Sequence, residues 1–172
     1  MTQAAGWKLP SREIKRRMIL GIQGMERGGK SHLALTGRPP IYIHNFDYGL
    51  EGTVEKFAVT GKEIDVAEYR MPKAPRGQEQ QVVKEAEVIY RQFREMWDDS
   101  VAKGEGTIIV DTHTEEWELR RLAWFGKLDQ IMPQQYAELN NDFRAQVRGA
   151  YDSGMTVILI RKMGKVYQGN QP

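Results

Sequence analysis

The apolar run MILGI at 18–22 passes directly into QGMERGGKSHLAL, and this junction constrains the fold more than any other stretch. A β-type run before it and a helical pattern after it meet the pattern G-x-x-x-x-G-K-[ST] at Gly24, Gly29, Lys30 and Ser31. The two glycines, helped by Gly28, let the backbone turn so that successive N–H groups face inward, where they and the start of the next helix attract phosphate oxygens. The expected cradle is therefore Gly24, Met25, Glu26, Arg27, Gly28, Gly29, Lys30, Ser31 and His32. In it Lys30 reaches the β- and γ-phosphates of a nucleotide and the Ser31 hydroxyl ligates Mg²⁺, a hard cation that takes oxygen ligands. A glycine-rich turn with a surface lysine is the plain alternative. Residue frequencies give such a chance match on the order of one in a hundred for a chain of this size.

The rest of the chain repeats the same alternation. Near-continuous apolar runs at 17–22, 41–46, 107–110 and 156–160 read as strands covered on both faces, with 65–69 as a weaker edge strand. Helical patterns lie between them at 30–36, 51–57, 80–103, 115–124 and 141–152. In the longest, Val82, Ala86, Ile89, Phe93 and Met96/Trp97 recur at three- and four-residue steps and Gly104 ends the pattern. This order predicts an α/β fold in three layers, with a mostly parallel central sheet and ligands at the carboxyl ends of its strands. The proline-bearing stretch 71–80 reads as a mobile loop.

Composition narrows the setting. A chain of 172 residues is expected to form one domain, and its net charge of +2 is too small to mark a nucleic-acid binder by bulk electrostatics. Without cysteine there is no disulfide, Cys-ligated zinc or thiol nucleophile. No apolar run approaches the roughly 20 residues that span a bilayer, and the start MTQAAGWKLPSREIKRR lacks a secretory pattern, so no membrane partner and a cytoplasmic location are expected.

A nucleotide site also needs carboxylates. TIIVD at 107–111 ends an apolar run in Asp111, placed to complete a Mg²⁺ shell; the alternative is a helix cap, a role that Thr114 serves better. The second strand ends near Asp47, with Glu51 in the following turn. Either carboxylate can orient or deprotonate an attacking water, while a turn-forming Asp47 and a first-turn helix Glu51 remain the structural alternatives. After the last strand, Arg161 and Lys162 stand where a cation touches a terminal phosphate or simply meets solvent. His44 reads as a strand residue and His113 as a loop residue; neither lies at metal-ligand spacing.

Taken in order, ILGIQGMERGGKSHLAL, PPIYIHNFDYGLEGTVEKF, TIIVDT and NNDFRAQVRGAYDSGMTVILIRK resemble the RecA-like P-loop ATPases, in particular small phage-encoded AAA-type proteins of recombination. The resemblance covers most of the chain from Arg17 onward. It implies ATP and Mg²⁺ as cofactors, hydrolysis, and assembly into a ring or filament or with a phage recombination partner. Gly24, Gly29, Lys30 and Ser31 match the Walker A motif, Asp111 the Walker B aspartate, and Arg161 the γ-phosphate-sensing position. Two departures stand out. Gly49 occupies the place of the usual catalytic glutamate, which leaves that role to Asp47 or Glu51, and relatives continue with further strands beyond the last one here.

The resemblance also implies single-stranded DNA as a partner, through loops at 120–135 and 162–167 that carry cations, glycine and aromatics. Trp117, Leu122 and Trp124 fit equally as a buried helix face, and the basic lead 1–16 as solvated chain. A small nucleoside or nucleotide kinase and a nucleotide-dependent switch are the competing readings.

Overall fold

The computed structural model describes residues 17–47, 49–50, 52–73, 79–126 and 131–163. The lead 1–16, Tyr48, Glu51, and residues 74–78, 127–130 and 164–172 lie outside the described residues. The candidate carboxylate Glu51 and parts of both expected DNA loops are among them.

Five strands form one sheet: β1 (Ile19–Gly24), β2 (Ile41–Asn45), β3 (Ile64–Glu68), β4 (Thr107–Asp111) and β5 (Thr156–Lys162). Their order is β1-β5-β4-β2-β3 and every pairing is parallel. The helices are α1 (Lys30–Ala34), α2 (Thr53–Ala58), α3 (Glu79–Ala102), α4 (His113–Phe125) and α5 (Pro133–Ser153). All five expected strands occur, and 65–69 is indeed at an edge, as β3.

Strand side chains alternate between faces, and this alternation splits the core in two. Tyr42, Ile108, Val110, Val157 and Leu159 pack with Ala86, Phe93 and Trp97 of α3, Leu119 of α4 and Val147 of α5. Ile41, Ile43, Ile109, Ile158 and Ile160 pack on the other side with Ala34 and Leu35, and with Val54 and Phe57 of α2. Helices on both faces of a parallel sheet give the three-layer α/β architecture. Both β2 and β4 are buried at every position, as near-continuous apolar runs require.

Three expectations are corrected. The first strand is not covered on both faces: β1 is an edge strand, and Ile19 remains 48% exposed. The last helix begins at Pro133, eight residues before 141, because proline at the first helical position needs no N–H partner and Gln135 Oε1 reaches back to accept from Met132 N at 2.7 Å. The fourth helix begins at His113. Its cap is Thr112, whose Oγ1 accepts from Glu115 N, and not Thr114.

Candidate functional site

The carboxyl ends of β1, β5, β4 and β2 come together in register, with Gly24 beside Lys162, Ile160 beside Asp111 and Asp111 beside Asn45. Above them opens a cleft of about 630 Å³ bordered by Lys30, Ser31, Asp47, Asp111, Thr112 and Lys162, with Glu26, Arg27, Gly29 and His32 on the loop side.

The loop is shaped by its own backbone. Gly28 N donates to Met25 O at 3.2 Å, closing a turn, and a Cβ at Gly28 would lie 2.9 Å from that same oxygen, so only glycine fits. Positive φ at Arg27 (57°) and Gly29 (76°) alternates the hand of the chain, the condition under which consecutive N–H groups form an anion-binding concavity. Lys30 Nζ also donates to Met25 O, at 2.6 Å, which folds the ammonium over the loop. Of the nine expected cradle residues, Glu26, Arg27, Gly29, Lys30, Ser31 and His32 border the cleft and Gly28 acts through backbone shape, while Gly24 ends β1, where a Cβ would lie in ordinary contact with Lys30 Cδ at 3.7 Å. The Met25 side chain does not line it and is 76% exposed; Met25 contributes its carbonyl oxygen instead.

Ser31 Oγ donates to Asp111 Oδ2 at 2.6 Å, across 80 residues of sequence. The contact follows from strand parity. Asp111 shares the face of Ile109, the side on which Ala34 of α1 packs, so the carboxylate meets the first turn of that helix. Burial holds the Asp111 carboxyl above its ordinary pKa, and Asp47 adds to the effect against the Ser31 hydrogen bond and the Lys30 and Lys162 ammonium groups. A largely buried carboxylate of this kind gains from a cation. Among the described residues no three His, Asp or Glu side chains converge on a metal position. A hydroxyl and one carboxylate nevertheless suit Mg²⁺, which keeps waters and takes further oxygens from phosphate.

Asp47 borders the same cleft. Its backbone N–H donates to Asn45 Oδ1 at 3.1 Å and to Asp111 O at 3.2 Å, which ties the end of β2 to the end of β4. Lys162 Nζ lies 3.5 Å from Asp47 Oδ2 and 2.9 Å from Glu115 Oε1. Burial alone would lower the Lys162 pKa, but these two carboxylates outweigh it and raise the pKa above the ordinary lysine value.

Of the two cations at the end of the last strand, the structure brings Lys162 to the cleft and not Arg161, the residue expected there. Arg161 shares the parity of Val157 and Leu159 and is exposed, whereas Lys162 continues Ile158 and Ile160 and borders the cleft. Arg120, expected in a DNA-contacting loop, lies within α4 and is wholly buried. It bonds Glu116 Oε1 at 2.8 Å, Asp142 Oδ2 at 2.5 Å and Gln146, which leaves it no surface to offer a strand. Its partner Glu116 also reaches His113, with Oε2 hydrogen-bonded to Nδ1 at 2.9 Å, so His113 is a buried helix residue, stacked on Phe143, and not the loop residue expected. The residues that sequence reasoning missed are Glu115 and Thr114, whose Oγ1 accepts from Lys162 N at 3.1 Å.

His44 is a satisfied core residue, as its strand pattern suggested. Its Nδ1 is 3.0 Å from the Tyr69 hydroxyl, and burial lowers its pKa to about 3. The folded protein therefore refuses a proton that the unfolded chain takes up below about pH 6.5. Stability falls with acidification between pH 6.5 and about 3, by up to about 1.4 kcal/mol per unit from this group. Urea unfolding across pH, compared with His44→Asn, checks this: the variant is expected to lose that component of the slope.

Against known proteins, the chain matches no family model and no curated protein.

Proposed function

We propose that this chain binds a Mg²⁺–nucleoside triphosphate in the cleft and hydrolyses it, as a RecA-like P-loop ATPase. The observation that carries the proposal is the apposition of Ser31 and Asp111 at 2.6 Å, beside Lys30 and the turn that only glycine permits at position 28. In this reading the loop N–H groups and Lys30 bind phosphate oxygens, while the Ser31 hydroxyl and Asp111 carboxylate hold the cation. The cation supplies charge neutralisation on the terminal phosphates. Asp47 orients the attacking water and takes its proton, and Lys162 offsets charge at the far end of the phosphate chain.

ATP as the nucleotide, oligomer formation, phage recombination and single-stranded DNA as a partner are carried by the sequence resemblance. Beyond Lys162, which the nucleotide site uses, the 162–167 segment carries Lys165 as a cation for a phosphate backbone.

A nucleotide-dependent switch with little turnover is the second reading. It is favoured by the ion pair that occupies Asp47 and by Gly49, which borders the cleft without a side chain although a Cβ there meets nothing within 4 Å.

Release of inorganic phosphate from ATP, measured with Mg²⁺ or EDTA and with or without single-stranded DNA across a salt series, tests the proposal. Mg²⁺-dependent release that DNA stimulates is expected. Unchanged turnover with DNA removes the DNA half, and tight binding with no single-turnover hydrolysis selects the switch.

A further inference from the structure

Glu115 has a place beside the cleft that neither the phosphate loop nor the cation position accounts for. It stands in the first turn of α4, and its Oε1 takes the Lys162 ammonium at 2.9 Å while Asp47 Oδ2 holds the other side at 3.5 Å. The Lys162 backbone N–H is fixed in turn by Thr114 Oγ1 at 3.1 Å. One ammonium thus joins the ends of β5 and β2 to the start of α4, and two carboxylates share it.

Where Asp47 orients the attacking water, the terminal phosphate lies next to Asp47, and so next to the ammonium that Asp47 holds. A polyanion anchored on Lys30 reaches that ammonium only if it is long enough. Its last phosphate then competes with Glu115 for Lys162, and it meets the Glu115 carboxylate as a like charge.

We propose that Glu115 is a positioning residue: it holds Lys162 in the absence of a terminal phosphate and thereby sets how far the cleft favours a triphosphate over a diphosphate. This rests on the nucleotide reading of the site. Removing the Glu115 charge releases Lys162 to a terminal phosphate, whereas a diphosphate ends short of the ammonium and gains nothing. The pair is about one-third exposed on each side, which keeps the effect moderate.

The test is a double-mutant cycle on the full chain. Mg²⁺ complexes of ADP and of a β,γ-imido ATP analogue are titrated into wild type, Glu115→Gln, Lys162→Met and the double variant. Glu115→Gln is expected to tighten the triphosphate analogue about three- to fivefold and to leave ADP unchanged. In the Lys162→Met background the gain disappears. An equal gain for both nucleotides, a gain that survives in Lys162→Met, or no gain overturns the inference, because the first two mean general electrostatics and the third means no competition. The ratio of the two affinities is read within each variant, so a uniform loss of folded protein does not move it. Wild type that binds neither nucleotide overturns the nucleotide reading itself; binding without the split overturns this inference alone.

Discussion

Lys30→Ala is expected to weaken Mg²⁺–ATP binding by about ten- to a hundredfold, the worth of one charge-assisted hydrogen bond to a phosphate in a partly enclosed site. Two contributions are lost together. The ammonium no longer meets phosphate, and its 2.6 Å bond to Met25 O, which folds the side chain over the loop, is gone. Lys30 sits at the start of a five-residue helix and contributes nothing to either core cluster, so the thermal midpoint is expected to stay within a few degrees. Equilibrium titration with a fluorescent ATP analogue reads the affinity. An affinity within twofold of wild type would remove Lys30 from the phosphate site.

Asp47→Asn is expected to act on the opposite step. Asparagine keeps the size of the side chain, and the backbone bonds to Asn45 Oδ1 and Asp111 O do not involve the carboxylate. Nucleotide binding therefore holds or tightens slightly, since a negative charge leaves an anion site. Turnover falls by about 10²- to 10⁴-fold, the usual worth of a general base. The ion pair with Lys162 complicates this role, because at 3.5 Å the ammonium competes with a water for the Asp47 carboxylate. Pre-steady-state phosphate release separates the chemical step from binding. Full turnover in Asp47→Asn would move the role to another group, with Glu51 as the next carboxylate along the chain.

The parts of this site that were legible in the sequence are those fixed by local spacing. Gly24 to Ser31 is one continuous segment, so the turn, the lysine and the hydroxyl could be placed from their order alone. Asp111 could be placed because an apolar run ending in a carboxylate has one exit from a parallel sheet. The preference for Lys162 over Arg161 was not legible, although strand alternation guarantees that only one of them faces the cleft. Choosing between them needs the side of the sheet that carries α1, and that is set by packing of Ala34 and Leu35 on Ile158 and Ile160. Glu115 was hidden for a related reason. Its meeting with Lys162 depends on β5 lying between β1 and β4, a pairing that no local pattern encodes.

Charge misled in the opposite direction at Arg120. An arginine in a polar stretch reads as surface, yet Glu116, Asp142 and Gln146 arrive from one helix turn and from α5 to satisfy it inside the core. The early start of α5 did leave a signal in Pro133 and Gln135, the residue pair expected at a helix N-terminus.

The central claim is that the loop, Ser31 and Asp111 form one Mg²⁺–triphosphate site. Calorimetric titration of ATP into the wild-type chain, with Mg²⁺ and with EDTA, tests it most directly when paired with Asp111→Asn. Such a site gives saturable one-to-one binding that weakens when Mg²⁺ is removed, and Asp111→Asn abolishes that Mg²⁺ dependence while leaving weak metal-free binding through Lys30. Absence of binding, or binding indifferent to both Mg²⁺ and Asp111→Asn, would contradict it.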